Sequence, residues 1–281
     1  MILLLLFNFL FAGSDSLLVK KLEVNDFLNA VSITSDAKEN IYVLDQNANQ
    51  IVKYNADLEF IMRNGKQGWL EGQFDSPTYI DGSSGLDIFI SDGNNKRVQR
   101  YDLNLVPIAT LLTNLPDFPP DLRFRTPIAS LVLNSNQFFV IDADNNRIVV
   151  YNDGRAPVSL FGHYTSGKGQ LLRPVKLLKD GNNNIYVYDK ELKSILKYDN
   201  LGNYVSTLSI DNIEAYTIFG NTLYLFNGKE LVMYDLDKNS ITDRKKLPKN
   251  ISKKKIRDIL VLNNKKYFLL GKNTLSLWQE K

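Results

Sequence analysis

The side chains in this sequence that could do chemistry are a spaced set of carboxylates, one histidine and several loop arginines. Asp45, Asp92, Asp142 and Asp189 recur at steps of 47, 50 and 47 residues, each ending a short apolar run. A tyrosine follows each after nine residues: Tyr54, Tyr101, Tyr151 and Tyr198. Facing one cavity, four such carboxylates would form a ring of general acids and bases. Turn length argues for a different role. Two weaker copies of the unit carry Asn227 and Gly271 in place of Asp, and their aromatics, Tyr234 and Trp278, come after only seven residues. The carboxylate and two turn residues are lost together. The four aspartates are therefore expected to organise the longer turn by accepting backbone N–H bonds.

His163, the single histidine, lies in the loop Phe161-Gly162-His163-Tyr164. No partner for acid–base work or metal ligation can be placed beside it, so local packing is its expected role. The chain has no cysteine, which removes thiol catalysis, disulfides and zinc–thiolate sites. No Gly-x-Ser-x-Gly or P-loop pattern is present. A proline stands 15 residues before the Asp in three units (Pro77, Pro127, Pro174), with Ala30 at the matching place in the first. The entries to the units are expected to ring one mouth of a central channel, and the residues at or just before this position are Asn29, Ser76, Thr126, Arg173, Glu214 and Asp258. Glu214, Asp258 and Asn29 come from neighbouring units, and such oxygen ligands would suit a hard cation such as Ca²⁺. Ion pairing with Arg257 or Arg173 is the competing and favoured reading, so no cofactor is expected.

Arginines and aromatics gather in the loops that lead into each unit. Arg123, Phe124 and Arg125 follow a Pro-rich stretch, 116–120, that interrupts the regular pattern. Arg173, His163, Tyr164 and Trp69 occupy comparable loops. Arginine with aromatics is the composition of a protein or glycan contact surface. Residues 244–257 hold the one dense basic run, read first as a solvated loop and second as a contact for an anionic surface. The net charge of +3 is too small to mark a nucleic-acid binder. Nothing in the sequence fixes an oligomeric state.

The elements that position these residues are short strands. Each unit of about 45 residues holds four strand-like runs and no helix-sized period-3.6 segment. In the fourth unit Asp180-Gly181-Asn182-Asn183-Asn184 and Asn200-Leu201-Gly202-Asn203 supply turns rich in residues that tolerate positive φ. Four strands per unit at this period predict an all-β fold, a six-bladed β-propeller with four antiparallel strands per blade. The sixth unit offers only three strands, whereas residues 17–24 form a strand with no partner in its own unit. That N-terminal strand is expected to close the last blade. Residues 1–12 are almost wholly apolar and are followed by small residues, which reads as a signal peptide over 1–14 with the propeller over 15–281. The protein is thus expected to be exported, whether periplasmic, cell-surface or secreted.

The segment 63–77, with Gly65, Gly72, Phe74 and Pro77, and the segment 160–174, with Gly162, Gly167, Gly169 and Pro174, resemble the lead-in motif of the NHL-repeat family of six-bladed propellers. The runs from Asp92 through Asn95 and Arg97 to Tyr101, and from Asp142 through Asn145 and Arg147 to Tyr151, resemble that family's core. The resemblance covers about 41–208. Units five and six lack both Asp and Arg, and unit one lacks the Arg. It implies a loop face that binds proteins, peptides, glycans or RNA, and a structural turn role for Arg97 and Arg147. A non-enzymatic binding module is the favoured expectation. A metal-dependent lactonase- or lyase-like enzyme is the alternative, and an RNA-binding domain comes third, since export argues against it.

Overall fold

The computed structural model describes residues 16–112, 118–133, 137–152, 156–210, 212–248, 251, 255–263 and 265–281. The expected signal segment lies outside them, as do Pro116 and, in the basic run, Lys249, Lys253 and Lys254. Apart from short 3₁₀ turns at Pro120–Leu122, Ala143–Asn145 and Gly167–Gly169, the regular structure of the described residues is all strand, because short apolar runs alternate with Asn-, Asp- and Gly-rich turns.

The first strand is β1 (Ser16–Val24). Four sheets of four strands follow in sequence. The first comprises β2 (Ala30–Ser35), β3 (Ile41–Asp45), β4 (Gln50–Tyr54) and β5 (Phe60–Asn64); the second, β6 (Pro77–Asp81), β7 (Ile88–Asp92), β8 (Arg97–Tyr101) and β9 (Pro107–Leu112). The third comprises β10 (Pro127–Val132), β11 (Gln137–Asp142), β12 (Arg147–Asn152) and β13 (Ala156–Phe161); the fourth, β14 (Pro174–Lys179), β15 (Ile185–Asp189), β16 (Ser194–Tyr198) and β17 (Tyr204–Ser209). The remaining strands are β18 (Ala215–Phe219), β19 (Thr222–Phe226), β20 (Glu230–Asp235), β21 (Ser240–Lys246), β22 (Asp258–Val261), β23 (Tyr267–Leu270) and β24 (Leu275–Glu280). Together with β1 they form one eight-stranded sheet, in the order β18-β19-β20-β21-β1-β24-β23-β22.

In that sheet β1 is antiparallel to β24 from Leu18↔Glu280 to Val24↔Leu275. It meets β21 in parallel through only two pairs, Ser16↔Lys245 and Leu17↔Lys246. The strand that lacks a partner in its own unit thus pairs with the last strand of the chain. The first strands of the units touch in a closed cycle, β2 to β6, β10, β14, β18, β22 and back to β2, and they surround a central channel.

Between neighbouring sheets lie apolar clusters fed by the inward positions of both. The cluster between the first and last units joins Ile33, Ile41, Val43 and Val52 to Phe268, Leu270, Leu275 and Leu277. Aromatic pairs repeat from unit to unit. Phe27, Phe74 and Phe124, each three residues before the Pro or Ala position, pack on Tyr54, Tyr101 and Tyr151 with ring centroids 6.2, 6.0 and 6.2 Å apart. Phe124 is only 1% exposed, so it is a core anchor and not the surface contact the sequence suggested. Its recurrence with Phe27 and Phe74 is the signal that identifies this role.

Two stability outcomes follow. Leu18, 1% exposed, ties β1 into the cluster beneath β22–β24. Leu18→Ala should cost about 2–5 kcal/mol in chemical unfolding. Burial, often next to a carboxylate, also pushes twelve of the fourteen tyrosines above their ordinary value of 10.0. Below about pH 10 both folded and unfolded phenols hold their protons. Above it the unfolded chain releases protons that the folded chain keeps, so stability should fall as pH rises. Phenolate absorbance from these twelve should then appear together with unfolding; ionisation of the twelve while the fold stays intact would contradict this.

Candidate functional site

The lead-in loops and the turns between second and third strands share one face of the molecule. The four aspartates are buried there. Asp45 and Asp189 accept backbone N–H groups of their own turn, whereas Asp92 and Asp142 meet theirs through the Asn95 and Asn145 side chains, and all four carboxylates also reach 16 or 17 residues upstream. Asp45 accepts the N–H groups of Leu28 and Asn29 as well as that of Ala48. Asp189 accepts those of Leu172 and Arg173 together with Glu191 and Leu192. Asp92 and Asp142 bind the N–H groups of Asp75 and Arg125. Arg97 and Arg147 complete the clamp. Arg97 donates to Asp92 and to the carbonyls of Trp69, Leu70 and Gln73. Arg147 donates to Asp142 and to the carbonyls of Asp121 and Arg123. With every one of these groups committed to holding a loop, the ring of aspartates forms no shared acid–base cavity.

The remaining sequence candidates on this face fall into two sets. Arg123 is half-buried and folds back on the Phe118 carbonyl. The His163 ring accepts the Thr165 N–H at Nδ1 and meets the Thr165 hydroxyl at 2.8 Å; among the described residues no carboxylate is hydrogen-bonded to it. Trp69 and Tyr164, by contrast, are 77% and 83% exposed, and Leu28, Leu70 and Leu172 are also exposed. Arg125 and Arg173 stand exposed in the same loops.

Glu214, Asp258 and Asn29 do not converge. Glu214 accepts the Ile256 N–H, and Asn29 accepts the Arg257 guanidinium, which also reaches the Ala30 carbonyl. Asp258 is not at the mouth. The strands β2, β6, β10 and β14 each carry a bulge after their first residue, between Ala30 and Ser32, Pro77 and Tyr79, Pro127 and Ala129, and Pro174 and Lys176. In β18 and β22 the register runs without one. Asp258 therefore occupies the position of Ser32, Tyr79, Ala129 and Lys176, inside the channel. Among the described residues no group of three or more His, Cys, Asp or Glu is placed to hold a metal ion. In the basic run, Arg244 pairs with Glu230, and the buried Lys245 with Asp243 and Glu280.

The polar arrangement that the sequence did not reveal lies in the channel. The first strand of each unit turns an edge inward, where no further strand can pair with it. Side chains of other units supply the missing partners. Asp81 accepts Val132 N–H, Thr34 accepts Gly82 N–H and Asp258 accepts Ile33 N–H. Lys179 and Lys176 donate to the carbonyls of Val132 and Tyr216. Tyr79 reaches across from β6 to the Leu177 carbonyl on β14, and Lys176 pairs with the buried Asp258 on β22. Burial holds the Asp81 carboxyl above its ordinary range and the Lys179 ammonium below its own. Beneath the Tyr79–Lys176 crossbar a cavity of 460 Å³ opens toward the hairpins that join first and second strands, on the side away from the lead-in loops.

No family model matches the chain, and no curated protein matches it in sequence. Solved structures do match over nearly the whole length. A streptogramin B lyase is 11% identical with a TM-score of 0.62, covering 94% of this chain and 97% of that one. Virginiamycin B lyase from Staphylococcus aureus is 12% identical at 0.62, covering 93% and 99%. BBS1N in complex with ARL6DN is 13% identical at 0.59, covering 95% and 97%. The chain folds as a β-propeller. At these identities the likeness carries the fold alone, and the propeller's sheets, channel and two faces are the frame in which its side chains act.

The crossbar is testable. Lys176→Met leaves the Asp258 carboxylate, only 5% exposed, without its cation and should cost about 3–5 kcal/mol. Combining it with Asp258→Asn should recover part of that loss in urea titrations.

Proposed function

We propose that the chain is a non-enzymatic, six-bladed, NHL-type propeller that is exported and binds a protein or glycan through its lead-in face. The observation that carries this reading is the division of labour on that face. The motif residues Asp92, Arg97, Asp142 and Arg147 are spent on holding loops, while Trp69 and Tyr164 project outward beside Leu28, Leu70 and Leu172. Exposed aromatics flanked by arginine fit a binding surface better than a reaction centre. The closed cycle of first strands supports a count of six, with the eight-stranded sheet taken as two blades joined edge to edge at β1. The BBS1 propeller, solved with ARL6DN, is an instance of this fold in a protein complex.

A lyase activity finds less support. A histidine-to-alanine variant of virginiamycin B lyase, solved with quinupristin, is described as catalytically inactive, and here the lone His163 is engaged with Thr165. Contact with an anionic surface through 244–257 is also less supported, because Arg244 and Lys245 are paired within the protein.

The test is capture of partners from the native cell envelope by the purified chain, with fractionation reporting export. Trp69→Ala and Tyr164→Ala should each weaken capture by about 2 kcal/mol and leave the melting temperature unchanged. Partner binding indifferent to both substitutions, or turnover of quinupristin by the purified chain, would count against this function.

A further inference from the structure

The cavity at the hairpin end of the channel lies away from the proposed partner surface and has its own chemistry. Its volume, 460 Å³, falls in the range of small-molecule sites. Its charged groups are almost all committed. Asp36 accepts the N–H groups of Lys38 and Asn40, the Asn40 amide and the Tyr42 hydroxyl. Asp180 repeats that set with Asn182, Asn184 and Tyr186. Asp81 binds the Ser83 and Val132 N–H groups, and Lys176 is neutralised by Asp258. Lys179, also in the lining, donates to the Val132 carbonyl and is offset by the charge of Asp81, so an ionic ligand would find no uncompensated counter-charge among these groups.

What remains is hydrogen-bonding capacity of both kinds. Thr217 lines the cavity at only 8% exposure, and among the described residues no side-chain hydrogen bond engages its hydroxyl. Lys176 has three N–H donors and spends two, on Tyr216 and Asp258. Tyr79 spends its hydroxyl hydrogen on Leu177, which leaves its oxygen free to accept. The Tyr216 carbonyl faces the channel, so the two-residue strand period turns the Ile218 N–H and C=O the same way. Ile33, Leu131, Leu177 and Val261 supply apolar walls between these groups.

We propose that this cavity is a binding site for a small neutral saccharide, one or two sugar rings in size. Hydroxyl groups both donate and accept, carry no charge, and alternate with apolar C–H faces, as the lining does. Thr217 takes one hydroxyl near the β18 wall, while Lys176 and Tyr79 take others at the floor.

Isothermal calorimetry with D-glucose, N-acetyl-D-glucosamine and maltose, each to about 10 mM, tests the assignment. At least one sugar should bind saturably at one site per chain. Thr217→Val keeps the side-chain shape and removes the hydroxyl, and it should weaken binding roughly tenfold. Ser35→Phe, which fills the cavity from the end of β2, should abolish binding, with melting curves reporting that both variants fold. Absence of binding by all three sugars overturns the proposal. So does affinity unchanged in both variants, or tighter binding of inorganic phosphate or methylammonium than of any sugar.

Discussion

An open ring of sheets must satisfy the edges that face its own centre. Every first strand here pairs with its second strand on one side and has no strand on the other, so its inward N–H and C=O groups would be orphaned in a narrow, poorly solvated channel. The chain meets this constraint with side chains sent from one unit to another. Thr34 accepts from Gly82 at the end of β6, and Asp81 and Asp258 accept from β10 and β2, while Lys176 and Lys179 donate to β18 and β10. Each bond fixes one sheet against another. The channel is thereby a structural joint as well as a cavity, and its polar residues are as necessary to the fold as the apolar clusters between the sheets.

The outer rim is held by a different device. One buried carboxylate in each of the first four units binds both its own turn and the loop that precedes the unit, so a single residue sets the distance between neighbouring sheets. Where Asn227 replaces it, the side chain serves only the local turn to Lys229 and Glu230. The shorter turns of units five and six, and the loss of the bulge in β18 and β22, belong to the same change in construction.

The rim was legible in the sequence because its chemistry repeats. The Asp-to-Tyr spacing, the turn role of Asp45, Asp92, Asp142 and Asp189, and the unpartnered strand near the start all rest on periodicity or on counting strands. The channel was not legible, because its key positions carry five residue types with no repeating pattern: Ser32, Tyr79, Ala129, Lys176, Ala215 and Asp258. Nothing local distinguishes Lys176 from an exposed lysine until the ring brings Asp258 beside it, 82 residues away in sequence. Asp258 was misplaced to the mouth because a missing bulge leaves no trace in composition. Phe124 was read as a contact residue because its neighbours are arginines, although its spacing to Pro127 matches that of Phe74 to Pro77.

The pairing of β1 with β24 has a temporal side. Leu18 is made long before its partner Glu280, so the ring cannot shut until β24 has followed all the sheets between them. Until then β1 lacks its neighbour, and the closing pair waits on a search across the whole of the propeller. Such distant contacts slow folding and prolong the exposure of sticky edges. A ribosome-bound molecule would be an open arc, at its most vulnerable to aggregation and proteolysis in the moments before β1 and β24 meet.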